Sequence, residues 1–219
     1  MADTQRVSEQ NCRYGVFGGT FDPIHTGHLV TAEVVRDAYH LDKVLFIPAA
    51  NPPHKQGRGV TPAEHRLQMA LCATQSNPAF EVLTLEMERP GLSYTIDTIQ
   101  ELLRLYGPQT ELYFITGADT IEEIHTWYHI RELLGLCHFV AATRPGSKPD
   151  YGAIQREFGA AGQAHIHHLV TPALDISSTD IRHRVQQGLS IKYIVPESVE
   201  EYIYREGLYC PEGAEVNEI

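Results

Sequence analysis

Two histidines, His25 and His28, lie three residues apart in the stretch GGTFDPIHTGH, residues 18–28. Imidazoles donate hydrogen bonds and change charge near neutral pH. Gly18 and Gly19, just before them, let a ligand approach the backbone closely and permit dihedrals that other residues resist. An apolar pattern at helical spacing follows, so the stretch reads as a strand-to-helix turn. The helix beginning near Gly27 would direct free N–H groups and its positive dipole end to the same place. Together these features predict a cradle for a polyphosphate. The blander reading is a tight glycine turn with His25 as a local helix cap, and the full eleven residues in this setting favour the cradle. The spacing is neither GxGxxG nor GxxxxGK[ST], so neither a dehydrogenase-type loop nor a P-loop is supported.

Something must hold that turn in place, and the alternation of apolar runs with amphipathic segments supplies it. RYGVF (13–17) predicts a first strand, and Leu29, Ala32, Val35 and Tyr39 recur at helical spacing over 28–40. KVLFIPA (43–49) is nearly continuous in apolar residues, as in a strand covered on both faces. Thr61, Pro62 and Glu64 predict a capping-box start to the next helix. FEVLTLEM (80–87) alternates like a strand, and TIDTIQELLRLYG predicts a helix stopped by Gly107. ELYFIT (111–116) and CHFVAAT (137–143) are further strands, HIRELL between them is a helix, and HIHHLV (165–170) reads as a polar edge strand. STDIRHRVQQG and PESVEEYIYREG each read as a helix. This order predicts a single α/β, Rossmann-like, doubly wound domain over 13–209, with a mainly parallel sheet and helices on both faces. Residues 1–12 and 210–219 are expected to be a disordered lead-in and a flexible tail.

Composition narrows the partners. A formal charge of −11 argues against binding to DNA or RNA phosphates. Four scattered cysteines form no CxxC pair, which argues against a disulfide framework or structural zinc and for a reducing, cytoplasmic setting. No apolar run is long enough to suggest a membrane span, and MADTQRVSEQ has no signal-peptide core. His165 and His167 have no acidic or thiol partner nearby in sequence, so a protein-held metal is not expected there.

GTFDPIHTGH resembles the HxGH signature of the nucleotidyltransferase superfamily, and ISSTDIR (176–182) is similar to its second signature. With AANPPHK (49–55), RPGLSYTIDT (89–98), GADT (117–120) and Trp127, residues 13 to 205 resemble the bacterial nicotinate-nucleotide adenylyltransferases. The resemblance implies that ATP and nicotinate mononucleotide give deamido-NAD and pyrophosphate. The acceptor's phosphate would attack the α-phosphorus in line, with no protein nucleophile. It implies catalytic roles for His25, His28 and Arg182, with His28 stabilising the transition state. ATP would be bound by Gly18, Gly19, Thr20, Phe21, His25, His28, Asp119, Ile176, Ser177, Ser178 and Arg182. Ser177 or Ser178 would cap the following helix. The acceptor would meet His54, Lys55, backbone N–H groups near Tyr94 and Thr95, and the face of Trp127. Mg²⁺ would arrive on the ATP phosphates and water rather than in a protein cage. Asp22, before a proline, has the commoner task of bonding the loop's own backbone. Nicotinamide mononucleotide as acceptor, and a non-catalytic nucleotide sensor on the same fold, are the rival readings. A homo-oligomer is compatible with the sequence.

Overall fold

The computed structural model describes residues 12–51, 59–143 and 150–211. Six strands form one sheet: β1 (Arg13–Gly19), β2 (Lys43–Pro48), β3 (Phe80–Val82), β4 (Glu111–Gly117), β5 (His138–Thr143) and β6 (Ile166–Val170). Their order is β3-β2-β1-β4-β5-β6 and every pairing is parallel. The order reverses between β1 and β4, where a doubly wound sheet opens a crevice beyond its carboxyl ends.

Helices cover both faces: α1 (Thr26–Tyr39), α2 (Ala63–Thr74), α3 (Thr95–Tyr106), α4 (Ala118–Glu122), α5 (Ile130–Leu133), α6 (Tyr151–Glu157), α7 (Gly159–His165), α8 (Ser178–Gln186) and α9 (Glu197–Arg205). Successive strand residues point to opposite faces. Phe17, Phe46 and Val140 therefore join Val35 of α1, Met69 of α2, Ile181 of α8 and Ile203 of α9 in one core. Val16, Leu45 and Phe139 join Ile99 of α3, Ile121 of α4 and Leu133 of α5 in the other. The near-continuous apolar run of β2 follows from this double covering. Among the described residues no helix is long and apolar enough to cross a membrane.

Three local expectations change. The strand expected over 80–87 ends at Val82, and Met87 N–H closes a turn on the Thr84 carbonyl at 2.8 Å. Leu83 and Leu85 still pack on the second core, so the apolar alternation outlasts the strand. The capping box at Thr61 does not form, because the N-cap is Pro62. Thr61 N–H goes instead to Asp22 Oδ2 at 3.3 Å. Finally, α6 and α7 fill a region with no anticipated helix; α6 buries no residue and α7 only Gly162.

Candidate active site

Two cavities open beyond the carboxyl ends of β1 and β4 and share Phe17, Thr116 and Gly117 as a common wall. The smaller, of about 340 Å³, lies where α1 and α8 begin and is lined by His25, Gly27, His28, Ile176, Ser177 and Ser178. Two helix N-termini therefore converge on it, each presenting N–H groups suited to an anion.

His25 occupies the N-cap of α1, is 6% exposed, and stacks on His28 with ring centroids 3.7 Å apart. His25 N–H donates to His28 Nδ1 at 3.1 Å. An imidazole nitrogen that accepts a hydrogen bond carries no proton, so the His28 proton resides on Nε2 and that nitrogen is a donor. Face-to-face stacking also disfavours two imidazolium charges at once. His25 thus holds the N-cap position, and its backbone N–H fixes the tautomer of its neighbour. Gly27 matters for space, since a Cβ there would come within 3.1 Å of the His25 ring.

The glycines before them act differently from expectation. The left-handed backbone falls at Phe21, with φ 50°, and not at Gly18 or Gly19. A Cβ on Gly19 would come within 2.9 Å of the Phe21 ring. That ring is 2% exposed and meets His28 edge-on at 5.2 Å, so the Phe21 side chain supports the imidazole from the core. Gly18, Gly19 and Thr20 line the larger cavity.

The second stretch braces the first. Ser177 is the cap of α8, accepting from Asp180 N–H at 3.1 Å. Ser178 donates instead to the Pro23 carbonyl at 2.8 Å, and Arg182 donates to the Asp22 carbonyl at 2.6 Å. Arg182 also reaches Thr179 Oγ1 at 3.3 Å, and it does not belong to the lining described for either cavity. The carboxylate of Asp22 accepts from Tyr209 O–H at 2.7 Å and from Thr61 N–H. Its bonds tie distant segments to the loop rather than closing the loop on itself.

The larger cavity, of about 580 Å³, is lined by the start of α3 and by aromatic rings. Tyr94 is the N-cap of α3 and Thr95 its first residue. Trp127 meets Phe114 and Phe139 edge-on at 5.5 and 5.7 Å while forming part of the wall. Its core and cavity roles coexist. Tyr128 packs on Tyr94 with ring centroids 4.8 Å apart and planes tilted by 35°, a pairing that no sequence motif singled out.

Two buried charges were also missed. Arg66 is 1% exposed and donates to the carbonyls of Thr61, Thr20, Ala49 and Ala50, at 2.9, 2.8, 2.6 and 3.3 Å. It joins the loop after β1 to the loop after β2; burial lowers its pKa while nearby Asp22 favours its charge. Glu86 is 7% exposed on the wall of the larger cavity, and burial raises its pKa. A lone arginine or glutamate in an amphipathic pattern reads as a solvated face, which hid both.

His54 and Lys55 lie outside the described residues, as does the side chain of Asp119 in α4. Among the described residues no group of three or more His, Cys, Asp or Glu could hold a metal ion. The smaller cavity is lined by hydrogen-bond donors and apolar groups, which suit anionic oxygens rather than a bare cation.

Residues 16–184 match the cytidylyltransferase-like family. A relative from Moorella thermoacetica, named "Probable nicotinate-nucleotide adenylyltransferase", is 55% identical over 91% of this chain and 92% of its own length. The relative of the same name from Thermoanaerobacter sp. is 53% identical over 92% of this chain and 96% of its own. The chain belongs to the nicotinate-nucleotide adenylyltransferase family. Plasmodium falciparum nicotinic acid mononucleotide adenylyltransferase, solved with NaAD, shares the fold with a TM-score of 0.74. It is 20% identical, over 90% of this chain and 97% of its own. The family match spans both histidines and Arg182, so the two bracing stretches belong to the shared domain.

Proposed function

We propose that this enzyme joins ATP to nicotinate mononucleotide, forming deamido-NAD and pyrophosphate in NAD biosynthesis. The observation that carries the reading is the pair of cavities with a common wall at Phe17, Thr116 and Gly117. One is ringed by anion donors and the other by aromatic groups, so a triphosphate and a pyridine nucleotide fit side by side. Their reacting phosphates would meet at the wall.

An oxygen of the acceptor's 5′-phosphate forms a bond to the α-phosphorus of ATP. The bond from that phosphorus to the α–β bridging oxygen breaks, and its electron pair leaves with pyrophosphate. The protein contributes position and charge stabilisation. His28 donates from Nε2 to an oxygen that gains charge, held in that tautomer by His25 N–H. His25, Ile176, Ser177 and Ser178 frame the nucleotide, and Arg182 braces the loop while adding positive charge. In the larger cavity Thr95 and Tyr94 N–H groups receive the nicotinate carboxylate at the start of α3, and Trp127 stacks on the ring. His54 and Lys55 are assigned to phosphate, and Asp119 to ribose hydroxyls. Mg²⁺ arriving with ATP would be held by phosphate oxygens and water and would neutralise phosphate charge. The four cysteines are free thiols, which supports a reducing, cytoplasmic setting.

The test is a product assay with ATP, Mg²⁺ and either the acid or the amide mononucleotide, following pyrophosphate and the dinucleotide mass. Deamido-NAD from the acid, formed in preference to NAD from the amide, is the expected result. No dinucleotide from either acceptor overturns the reading; a preference for the amide overturns the choice of acceptor.

A further inference from the structure

The described lining of the larger cavity contains one charged side chain, Glu86. It lies in the turn after β3, 7% exposed. Burying a carboxyl group costs free energy unless its oxygens are hydrogen-bonded. Two hydroxyls meet that need. Thr98 Oγ1, in the first turn of α3, donates to Glu86 at 2.8 Å, and the Ser93 hydroxyl is the second partner. Arg89 donates to the same Thr98 oxygen at 3.1 Å. Ser93 is in turn clamped to the segment leaving β2: Asn51 N–H donates to Ser93 Oγ at 3.3 Å, and Ser93 N–H to the Asn51 carbonyl at 3.1 Å.

A line of contacts therefore runs from α3 through Glu86 and Ser93 to the loop after β2. Tyr94 and Thr95, whose N–H groups open α3, lie between the two hydroxyl anchors in the chain. An apolar side chain at position 86 would avoid the desolvation cost, but would leave Ser93 and Thr98 without their common tie. Burial also favours the neutral carboxyl, which limits repulsion of an anionic ligand in the same cavity.

We propose that Glu86 is a positioning residue for acceptor specificity. By tying Ser93 to Thr98, it aims the Tyr94 and Thr95 N–H groups at an acceptor carboxylate in preference to an amide. The inference rests on the larger cavity being the acceptor site.

Trp127, the sole tryptophan, lines that cavity and reports acceptor binding by fluorescence without turnover. Glu86→Ala should raise both the Kd and the KM of nicotinate mononucleotide about tenfold, with the ATP KM within about twofold. Its acid-over-amide ratio in kcat/KM should fall about tenfold. Glu86→Gln, which can accept from one hydroxyl and donate to the other, should stay within about threefold of the parent. Should the alanine variant not fold, Ser93→Ala must reproduce the loss of selectivity.

An unchanged acid-over-amide ratio in Glu86→Ala overturns the proposal, as do equal rises in both substrates' KM or a glutamine variant as impaired as alanine. The parent enzyme separates the two levels. If it forms no dinucleotide from the acid, the functional reading fails; if it does and Glu86→Ala behaves normally, only the role of Glu86 fails.

Discussion

Both ends of the sheet carry histidines and an arginine, and the two ends satisfy them differently. At the amino edge, His138 Nδ1 and His167 Nε2 are 3.0 Å apart, and His138 stacks on Tyr113 at 4.7 Å. Arg13 there pairs with Glu111 at 3.0 Å and donates to the Tyr113 hydroxyl. Side chains answer one another. At the carboxyl edge, His28 takes a backbone N–H, and the four bonds described for Arg66 all go to backbone carbonyls. Backbone groups help to orient these side chains, and two helix N-termini add positive potential beside them. What distinguishes a site from a structural cluster here is the kind of partner that satisfies it, more than the number of histidines.

The sharpest way to break this contrast is His28→Ala. Turnover should fall about a hundred- to a thousandfold, as for loss of one transition-state donor, with ATP affinity within about threefold. Steady-state kinetics with calorimetric ATP binding check both. Near-normal turnover would make the His25–His28 pair as structural as the histidines of the opposite edge.

Arg66→Met tests whether a cation held by carbonyls is the joint between the loops after β1 and β2. Leaving buried carbonyls unpaired costs about 1–3 kcal/mol for each group, less than additively where the site relaxes. A net loss of about 3 kcal/mol should lower the melting temperature by about 10 °C. Arg66→Lys should fall between, because an ammonium cannot reproduce the planar fork. A drop below about 2 °C in a thermal melt would mean that water replaces the guanidinium without cost.

Much of this architecture is readable in the residue order, and the exceptions have physical causes. The runs of β1, β2, β4 and β5 are apolar because helices cover both faces, so their pattern tracks burial directly. FEVLTLEM misleads because Leu83 and Leu85 are buried from a loop and keep a strand-like alternation. The α6–α7 segment has almost no buried side chain, hence no periodicity to detect. At the site, motif residues stand out because glycine, proline and histidine cluster within eleven positions. Arg66, Glu86 and Tyr128 were hidden, since each acts through contacts distant in sequence. The Thr61 capping box failed for a similar reason: Asp22, thirty-nine residues away, takes the Thr61 N–H.

Trp127→Ala sharpens the contrast between the two cavities within the carboxyl edge. Loss of stacking on a flat heterocycle costs about 1–3 kcal/mol, so the acceptor KM should rise about tenfold with the ATP KM little changed. Because the ring also packs on Phe114 and Phe139, a lower melting temperature is expected alongside. A rise in the ATP KM alone would place the wrong substrate in the larger cavity.

The smallest effect belongs to the amino edge. Burial, then the neighbouring His165 and His167, lowers the pKa of His138 to about 4, with Glu111 opposing and Arg13 adding to the shift. Burial also lowers that of His167. Between the ordinary histidine value near 6.5 and about 4, the unfolded chain takes up protons that the folded chain refuses. Stability contributed here is therefore complete above pH 6.5 and is lost as the pH falls toward 4. His138→Gln retains a hydrogen-bond partner for His167 and removes one of these protons. Its melting temperature should decline less between pH 7 and pH 5 than that of the parent, by about 2–4 °C for each kcal/mol of stability spared. Turnover at pH 7.5 should be unchanged, since the cluster lies at the sheet edge opposite both cavities. A kinetic defect there would show that the two edges are coupled and would undo the contrast drawn between them.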